Sequence, residues 1–268
     1  MPIFVIAILL GLLEGVTEFL PISSTGHLIV AQRLTGFEDV KDVFTVVVQL
    51  GAIAAVIWFY RLDLFNKVRG LLAKDQEALN FWKLLVIATI PAGLIGLALD
   101  KNMDLITTPT VVAWALIVGG IILWLVDRKP VSKHAKIVEP QIERITTRQA
   151  ALVGLGQAVA IIPGVSRSGA TIVSGLSLGI DRPTATAFSF YLSIPVMVLA
   201  SGYKLIKNPD AVNLIPGGPS SLALGLISAF IAASLSISWL LRYVSRHSFR
   251  PFAYYRIGLG VLILVFIN

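Results

Sequence analysis

The sixteen residues from Val111 to Val126, VVAWALIVGGIILWLV, carry no charged side chain and no proline, and that stretch constrains the chain more than any other. As a helix rising 1.5 Å per residue it nearly covers the roughly 30 Å hydrocarbon core of a bilayer. VFTVVVQLGAIAAVIWFY (43–60) and PFAYYRIGLGVLILVFI (251–267) are similar, and each is bounded by Arg or Lys. With 56% hydrophobic and 14% charged residues and a mean hydropathy of +0.84, the 268-residue chain is far more apolar than a soluble domain. Lipid offers the backbone no hydrogen-bond partner, so several such runs predict an all-α integral membrane protein, read as one membrane domain over 1–268.

The net charge of +7 lies in loops between the runs, so it reads as a topology signal and excludes a nucleic-acid-binding domain. Cysteine is absent, which removes thiolate and disulfide chemistry, and with three histidines and no His-rich motif a histidine zinc site is not expected. The first positive side chain is Arg33, and Glu14 and Glu18 interrupt the N-terminal apolar stretch, so a cleaved signal peptide is not expected there.

Six spans are predicted, at about 43–60, 83–99, 110–126, 184–203, 220–240 and 251–267. Two further apolar segments, about 2–35 and 149–178, are broken near their middles by Pro, Gly and Ser. Neither half of either segment is long enough to cross, so each reads as a re-entrant helix-turn-helix. Loops 61–83, 127–148 and 241–250 hold five, six and three Lys or Arg, against two, one and two in 31–42, 100–109 and 204–219, which places the first set in the cytoplasm. A slide of 143 positions sets GLLEGVTEFLPISSTG over GLGQAVAIIPGVSRSG, pairing Gly11 with Gly154, Glu14 with Gln157, Ser23 with Ser166 and Gly26 with Gly169. Slides of 140 to 144 also pair Phe44 with Phe188 and Ala113 with Ala253. Two repeats follow, about 1–128 and 149–268, each a re-entrant helix-turn-helix plus three transmembrane helices. Three is odd, so the repeats have inverted topology, and residues 14–28 should meet residues 157–171 at the pseudo-two-fold axis.

Glu14 and Glu18 stand four apart on one helix face, where two like charges in a membrane need a cation, a proton or an arginine to neutralise them. PISSTGH supplies Ser23, Ser24, Thr25, Gly26 and His27. A serine and a histidine around a tight turn serve as nucleophile and base, or both bind phosphate oxygens; ordinary helix capping explains any single hydroxyl equally well. PGVSRSGAT sets Arg167 between Ser166 and Ser168 in a short turn before a helix, an arrangement that suits phosphate or carboxylate better than a snorkelling arginine would. Carboxylates and a phosphate repel one another, so a divalent cation between them, Mg2+ or Ca2+ for all-oxygen ligands, is the economical solution. The combination implies metal-assisted phosphoryl transfer or hydrolysis on a substrate reached from the membrane. Gln49 and Arg256 lie within predicted spans, where each could support the site or satisfy a neighbouring helix or backbone carbonyl; GLIG, IVGG and GLGVL read as close helix packing.

EGVTEFLPISSTGH and PGVSRSGAT, together with FTVVVQLGAIAAV and FRPFAYYRIGLG, resemble the bacterial undecaprenyl-diphosphate phosphatases of the bacitracin-resistance type over essentially the whole chain. That resemblance implies hydrolysis of the C55 isoprenoid diphosphate to the monophosphate and inorganic phosphate, recycling the lipid carrier for peptidoglycan. It implies a bacterial inner-membrane enzyme, active on the periplasmic or outer side, that uses Mg2+ or Ca2+ and whose substrate bacitracin sequesters; a homodimer stays open. The family's glutamate motif matches Glu14 and Glu18, its serine and histidine match Ser24 and His27, and its arginine signature matches Ser166, Arg167, Ser168 and Thr171. On this reading Glu18, Ser24, His27 and Arg167 are catalytic, and Glu14 and Glu18 hold the metal. Ser23, Thr25, Gly26, Ser166, Ser168, Gly169 and Thr171 bind substrate. Ser24 is the nucleophile with His27 as its general base or acid, and the rival is direct attack by water with His27 as base and Ser24 as a phosphate ligand. Inverted repeats also build secondary transporters, so an inverted-repeat transporter or lipid flippase is the alternative.

Overall fold

The computed structural model describes residues 1–39, 42–99, 106–127 and 139–267, which form helices and turns with no strand among them. Helices α1 (Ile3–Thr17) and α2 (Ser24–Thr35) flank a first break, and α3 (Val43–Phe59) is followed by α4 (Arg61–Leu72), α5 (Gln76–Leu99) and α6 (Pro109–Val126). Then α7 (Thr147–Ala158) and α8 (Arg167–Ser177) flank a second break before α9 (Arg182–Lys207), α10 (Gly218–Val244) and α11 (Arg250–Phe266). Of the loop cations counted above, Lys41, Lys101, Arg128, Lys129, Lys133 and Lys136 lie outside the described residues.

Local chemistry sets the helix ends. Thr108 and Asp181 cap α6 and α9 by accepting from the backbone N–H groups of Val111 and Thr184, and a proline sits in the first turn of each. Thr146 and Gln149 form a reciprocal capping box at the start of α7, and left-handed Gly36 ends α2.

The six expected spans resolve differently. α5, α6, α9 and α10 are long and apolar enough to cross a membrane, and a fifth crossing requires α3 and α4 together, a pair bent by 75°. α3 and α11 have 17 residues each, about 26 Å of helix, slightly short of the hydrocarbon core. The stretch 61–83, expected as a loop, contains α4 and the first turns of α5. The bend falls where the apolar run gives out: Arg61 donates to the carbonyl of Trp58 at 2.7 Å and its guanidinium lies 4.4 Å from the Trp58 ring. No residue of α4 is buried, and Leu62, Phe65 and Leu72 are exposed beside Arg61 and Arg69, the pattern of a helix lying along a membrane interface.

α9 is the most enclosed of the long helices, with Phe188, Phe190 and Leu192 buried, and it packs on α3, α5, α8 and α10. Leu94, Val118, Leu235 and Val265 face outward on other helices, apolar surface that lipid accommodates and water would not. The protein is a multi-pass membrane protein.

Small residues bring the helices close. α1 lies on α10, where a Cβ on Gly15 would run into the carbonyl of Ala229 and come within 2.8 Å of the Ala232 methyl. α7 lies on α5, where a Cβ on Gly154 would meet the backbone of Ala88. Gly120 and Gly260 seat α6 against α11, as IVGG and GLGVL predict. GLIG does not follow that expectation: Gly93 has no atom within 4 Å of a built Cβ, and Gly96 would meet only Ile161 at 3.9 Å. Both line a cavity instead.

Arg256 on α11 joins the two breaks. It is 1% exposed, and Nη1 donates to the Pro21 carbonyl at 3.2 Å in the first break. Nη2 donates to Gly164 at 3.2 Å and Val165 at 2.8 Å in the second, and to Ala115 at 3.3 Å on α6; Nε reaches Leu116 at 3.4 Å. Of the two uses open to this arginine, satisfying backbone carbonyls is the observed one. Gln49 is half-buried on α3.

Two outcomes test this packing by thermal unfolding in detergent. Gly15→Ala should destabilise by about 1–3 kcal/mol through overpacking, whereas Gly258→Ala, with nothing within 4 Å, should be neutral or slightly stabilising. Arg256→Met should cost at least about 3 kcal/mol, because it strands several buried carbonyls at once.

Candidate active site

Both breaks are built alike. Ser23 and Ser166 precede α2 and α8 with φ of 71° and 72°, a region non-glycine residues seldom adopt. Each accepts the N–H three residues ahead: Gly26 N donates to Ser23 Oγ at 3.4 Å and Gly169 N to Ser166 Oγ at 3.0 Å. The capping reading therefore holds for these two hydroxyls. Ser168 Oγ lies 3.1 Å from Ser166 Oγ and donates to the Leu20 carbonyl at 3.0 Å, a direct tie between the breaks.

Ser24 has a different partner. Its Oγ donates to Glu18 Oε2 at 2.5 Å, and Arg167 Nη2 pairs with Glu18 Oε1 at 2.9 Å. Glu18 thus bridges a hydroxyl from one break and a guanidinium from the other, the juxtaposition expected of residues 14–28 and 157–171. Glu18 is 8% exposed and the Arg167 side chain 12%, so the pair is screened little by solvent. Arg167 Nη1 also donates to the Ser189 carbonyl at 2.9 Å, its guanidinium lies 5.7 Å from the Phe19 ring, and Nε is buried without a partner. Thr171 donates to Ser189 Oγ at 2.6 Å, which ties α8 to α9 behind the arginine.

His27 does not join Ser24. Its Nδ1 lies 2.7 Å from the Ser23 carbonyl and its Nε2 2.7 Å from the Tyr255 hydroxyl, with the two rings stacked 5.5 Å apart. Both ring nitrogens are engaged, so the expected Ser24–His27 pair is replaced by Ser24–Glu18. The backbone explains the change: Ser24 opens α2 beside Glu18 at the end of α1, while His27, one turn on, reaches back to Ser23 and outward to α11. Thr25 is half-buried in the first turn of α2.

Glu14 is wholly buried, and neither carboxylate oxygen has a hydrogen-bond partner. Gln157, its counterpart under the 143-residue slide, is 2% exposed with both amide atoms unpartnered. Groups of this kind cost several kcal/mol unless something not in the chain satisfies them. Two carboxylates one turn apart, with oxygen donors only, fit a hard divalent cation better than a soft one.

A cavity of about 500 Å³ opens beside this cluster between α3, α5, α7 and α9. Arg167 and Gln157 line it together with apolar Ala92, Leu97, Ile161 and Leu199, and Tyr203 and Lys204 lie on α9 along its wall. A smaller polar cleft of about 220 Å³, between Gln141–Gln149 and the start of α9, holds none of these residues. The sequence reading missed Ser189 and Tyr255. Ser189 carries the signal of a hydroxyl within an apolar helix, and Tyr255 lies in the FRPFAYYRIGLG motif.

A family model described as bacitracin resistance protein BacA matches residues 7–262. A protein of Nitrosospira multiformis named undecaprenyl-diphosphatase is 46% identical over 260 residues, 96% of this chain and 93% of the relative. One of the same name from Acinetobacter baumannii is 47% identical over 261 residues, 97% and 94% of the two chains. A third, from Deinococcus deserti, is 45% identical over 274 residues, 98% and 95%. The family model matches most of the chain and identity with these relatives runs along nearly its full length, so the chain belongs to the BacA bacitracin-resistance family.

Proposed function

We propose that this protein hydrolyses undecaprenyl diphosphate to undecaprenyl phosphate and inorganic phosphate. The observation that carries this reading is the buried Ser24–Glu18–Arg167 chain, which sets a hydroxyl, a carboxylate and a phosphate-binding guanidinium across the junction of the two breaks. A transporter needs no such arrangement, and full-length relatives bear the phosphatase name.

Ser24 Oγ attacks the terminal phosphorus and passes its proton to Glu18 Oε2, its hydrogen-bond partner. The bond between the terminal phosphorus and the bridging oxygen breaks, the isoprenoid monophosphate leaves, and water then cleaves the phosphoserine to release phosphate and restore Ser24. Arg167 exchanges its contact with Glu18 for the phosphoryl oxygens as charge develops there. His27, held on both nitrogens, fixes the first turn of α2. Glu14, with its orphaned oxygens, and Glu18 are the residues to hold Mg2+ or Ca2+. Such an ion supplies neutralisation of phosphate charge beside two carboxylates. Ser23, Thr25, Gly26, Ser166, Ser168, Gly169 and Thr171 shape the two turns around the phosphates. The apolar walls of the 500 Å³ cavity suit the isoprenoid chain.

The wider setting belongs to the same proposal. Repeats of inverted topology are supported by the matched serine caps and by reciprocal packing, α1 on α10 and α7 on α5. The lysine and arginine bias of the loops supports loops 61–83, 127–148 and 241–250 lying in the cytoplasm, and the resemblance to the bacitracin-resistance phosphatases supports a bacterial inner-membrane enzyme active on the periplasmic side. Converting the diphosphate removes the species that bacitracin sequesters, in keeping with the family description.

Purified protein should release phosphate from undecaprenyl diphosphate in Mg2+ or Ca2+ and stop in EDTA; no release with either ion overturns the hydrolase reading. Ser24→Ala should lower kcat by about 10²–10⁴-fold, and near-normal turnover would remove the serine step. Glu14→Gln should lose the upward melting shift that Mg2+ or Ca2+ gives the parent, since it removes a carboxylate that would hold the ion, and an undiminished shift would remove Glu14 from the metal site.

A further inference from the structure

The pair of buried groups without partners divides by chemistry. In the first break the orphan is an acid, Glu14, which calls for a cation; at the matching place in the second it is an amide, Gln157. Gln157 lines the same cavity as Arg167, whose Nε is also buried and unpartnered. Both side chains line a space otherwise walled mainly by apolar groups, and an N–H donor on the guanidinium and two on the amide are buried without partners. A neutral amide and a spare guanidinium N–H, both desolvated, call for an acceptor-rich anion. The amide carbonyl adds an acceptor for a protonated phosphate oxygen, which a second carboxylate would repel.

We propose that Gln157 is a substrate-binding residue that, with Arg167 Nε, receives phosphate oxygens of the lipid diphosphate beside the apolar cavity. Resting on the hydrolase reading above, this assigns the cation to the first break and the phosphate contact to the second. It also explains why the repeat carries Glu at one position and Gln at the other. Without ligand the amide contributes nothing to folding, so its two roles separate experimentally.

The test is thermal melting of the full-length protein in detergent, with and without inorganic pyrophosphate, alongside kcat/KM for undecaprenyl diphosphate. Gln157→Leu, an apolar residue of similar size, should melt at or above the parent without ligand. It should lose most of the upward shift that pyrophosphate gives the parent, and kcat/KM should fall about tenfold or more. Gln157→Glu should bind pyrophosphate more weakly still. The assignment is overturned if pyrophosphate leaves the parent unshifted, if it shifts Gln157→Leu as much as the parent, or if Gln157→Leu melts well below the parent without ligand. A pyrophosphate shift lost in Gln157→Leu, in a parent that releases no phosphate from the lipid, would uphold the anion site and remove the hydrolase reading instead.

Discussion

Everything at the centre of this protein depends on where one buried guanidinium sends its hydrogen bonds. Arg256 donates to Pro21 in the first break, to Gly164 and Val165 in the second, and to α6. Two interruptions of helix in an apolar bundle leave carbonyl groups that neither water nor lipid can satisfy, and a planar cation with five donors meets several at once. It is costly to bury, and the compensation comes only when both breaks are present and correctly placed. The same contacts that satisfy the arginine therefore set the distance between the two turns.

Once the turns are set, the chemistry divides between them. The first contributes carboxyl groups, Glu14 and Glu18, and the second a cation, Arg167; Glu18 or Arg167 alone would leave an uncompensated charge in a largely buried site. Glu18 and Arg167 neutralise each other, and the carboxylate keeps its second oxygen for Ser24. Strained caps at Ser23 and Ser166 start α2 and α8 abruptly, which turns the following hydroxyl and guanidinium inward. Glu14 and Gln157 are buried beside these turns with no hydrogen bond to the polar atoms of either side chain.

Much of this arrangement was legible before any coordinate. Charged and hydroxyl side chains inside apolar segments, with Pro, Gly and Ser between them, pointed to the two breaks, and their matching spacing set residues 14–28 against residues 157–171; the contact between Glu18 and Arg167 came from the structure. The details that escaped were those without a periodic signal. α4 was hidden because a basic stretch after an apolar run reads as a loop until its outward apolar side chains are seen. Gly93 and Gly96 resembled a packing motif but face a cavity, since a glycine pair looks the same whether it admits a helix or leaves a space. Ser24 and His27 stood close enough to be taken for a pair; backbone direction at the cap sent one to Glu18 and the other to Tyr255.

By itself, the order of residues determined the solvent this chain lives in, the helical class, the two polar interruptions and the residue types that meet there. Those follow from composition and spacing, because lipid accepts few backbone arrangements and few charges. Only the tertiary structure decided which oxygen accepts from Ser24, which carbonyls hold Arg256, and that Glu14 and Gln157 are buried without a hydrogen bond to their side-chain oxygens or amide. Hydrogen bonds are short and directional, so their pairing is settled by atomic positions that several helices fix jointly and no single segment encodes.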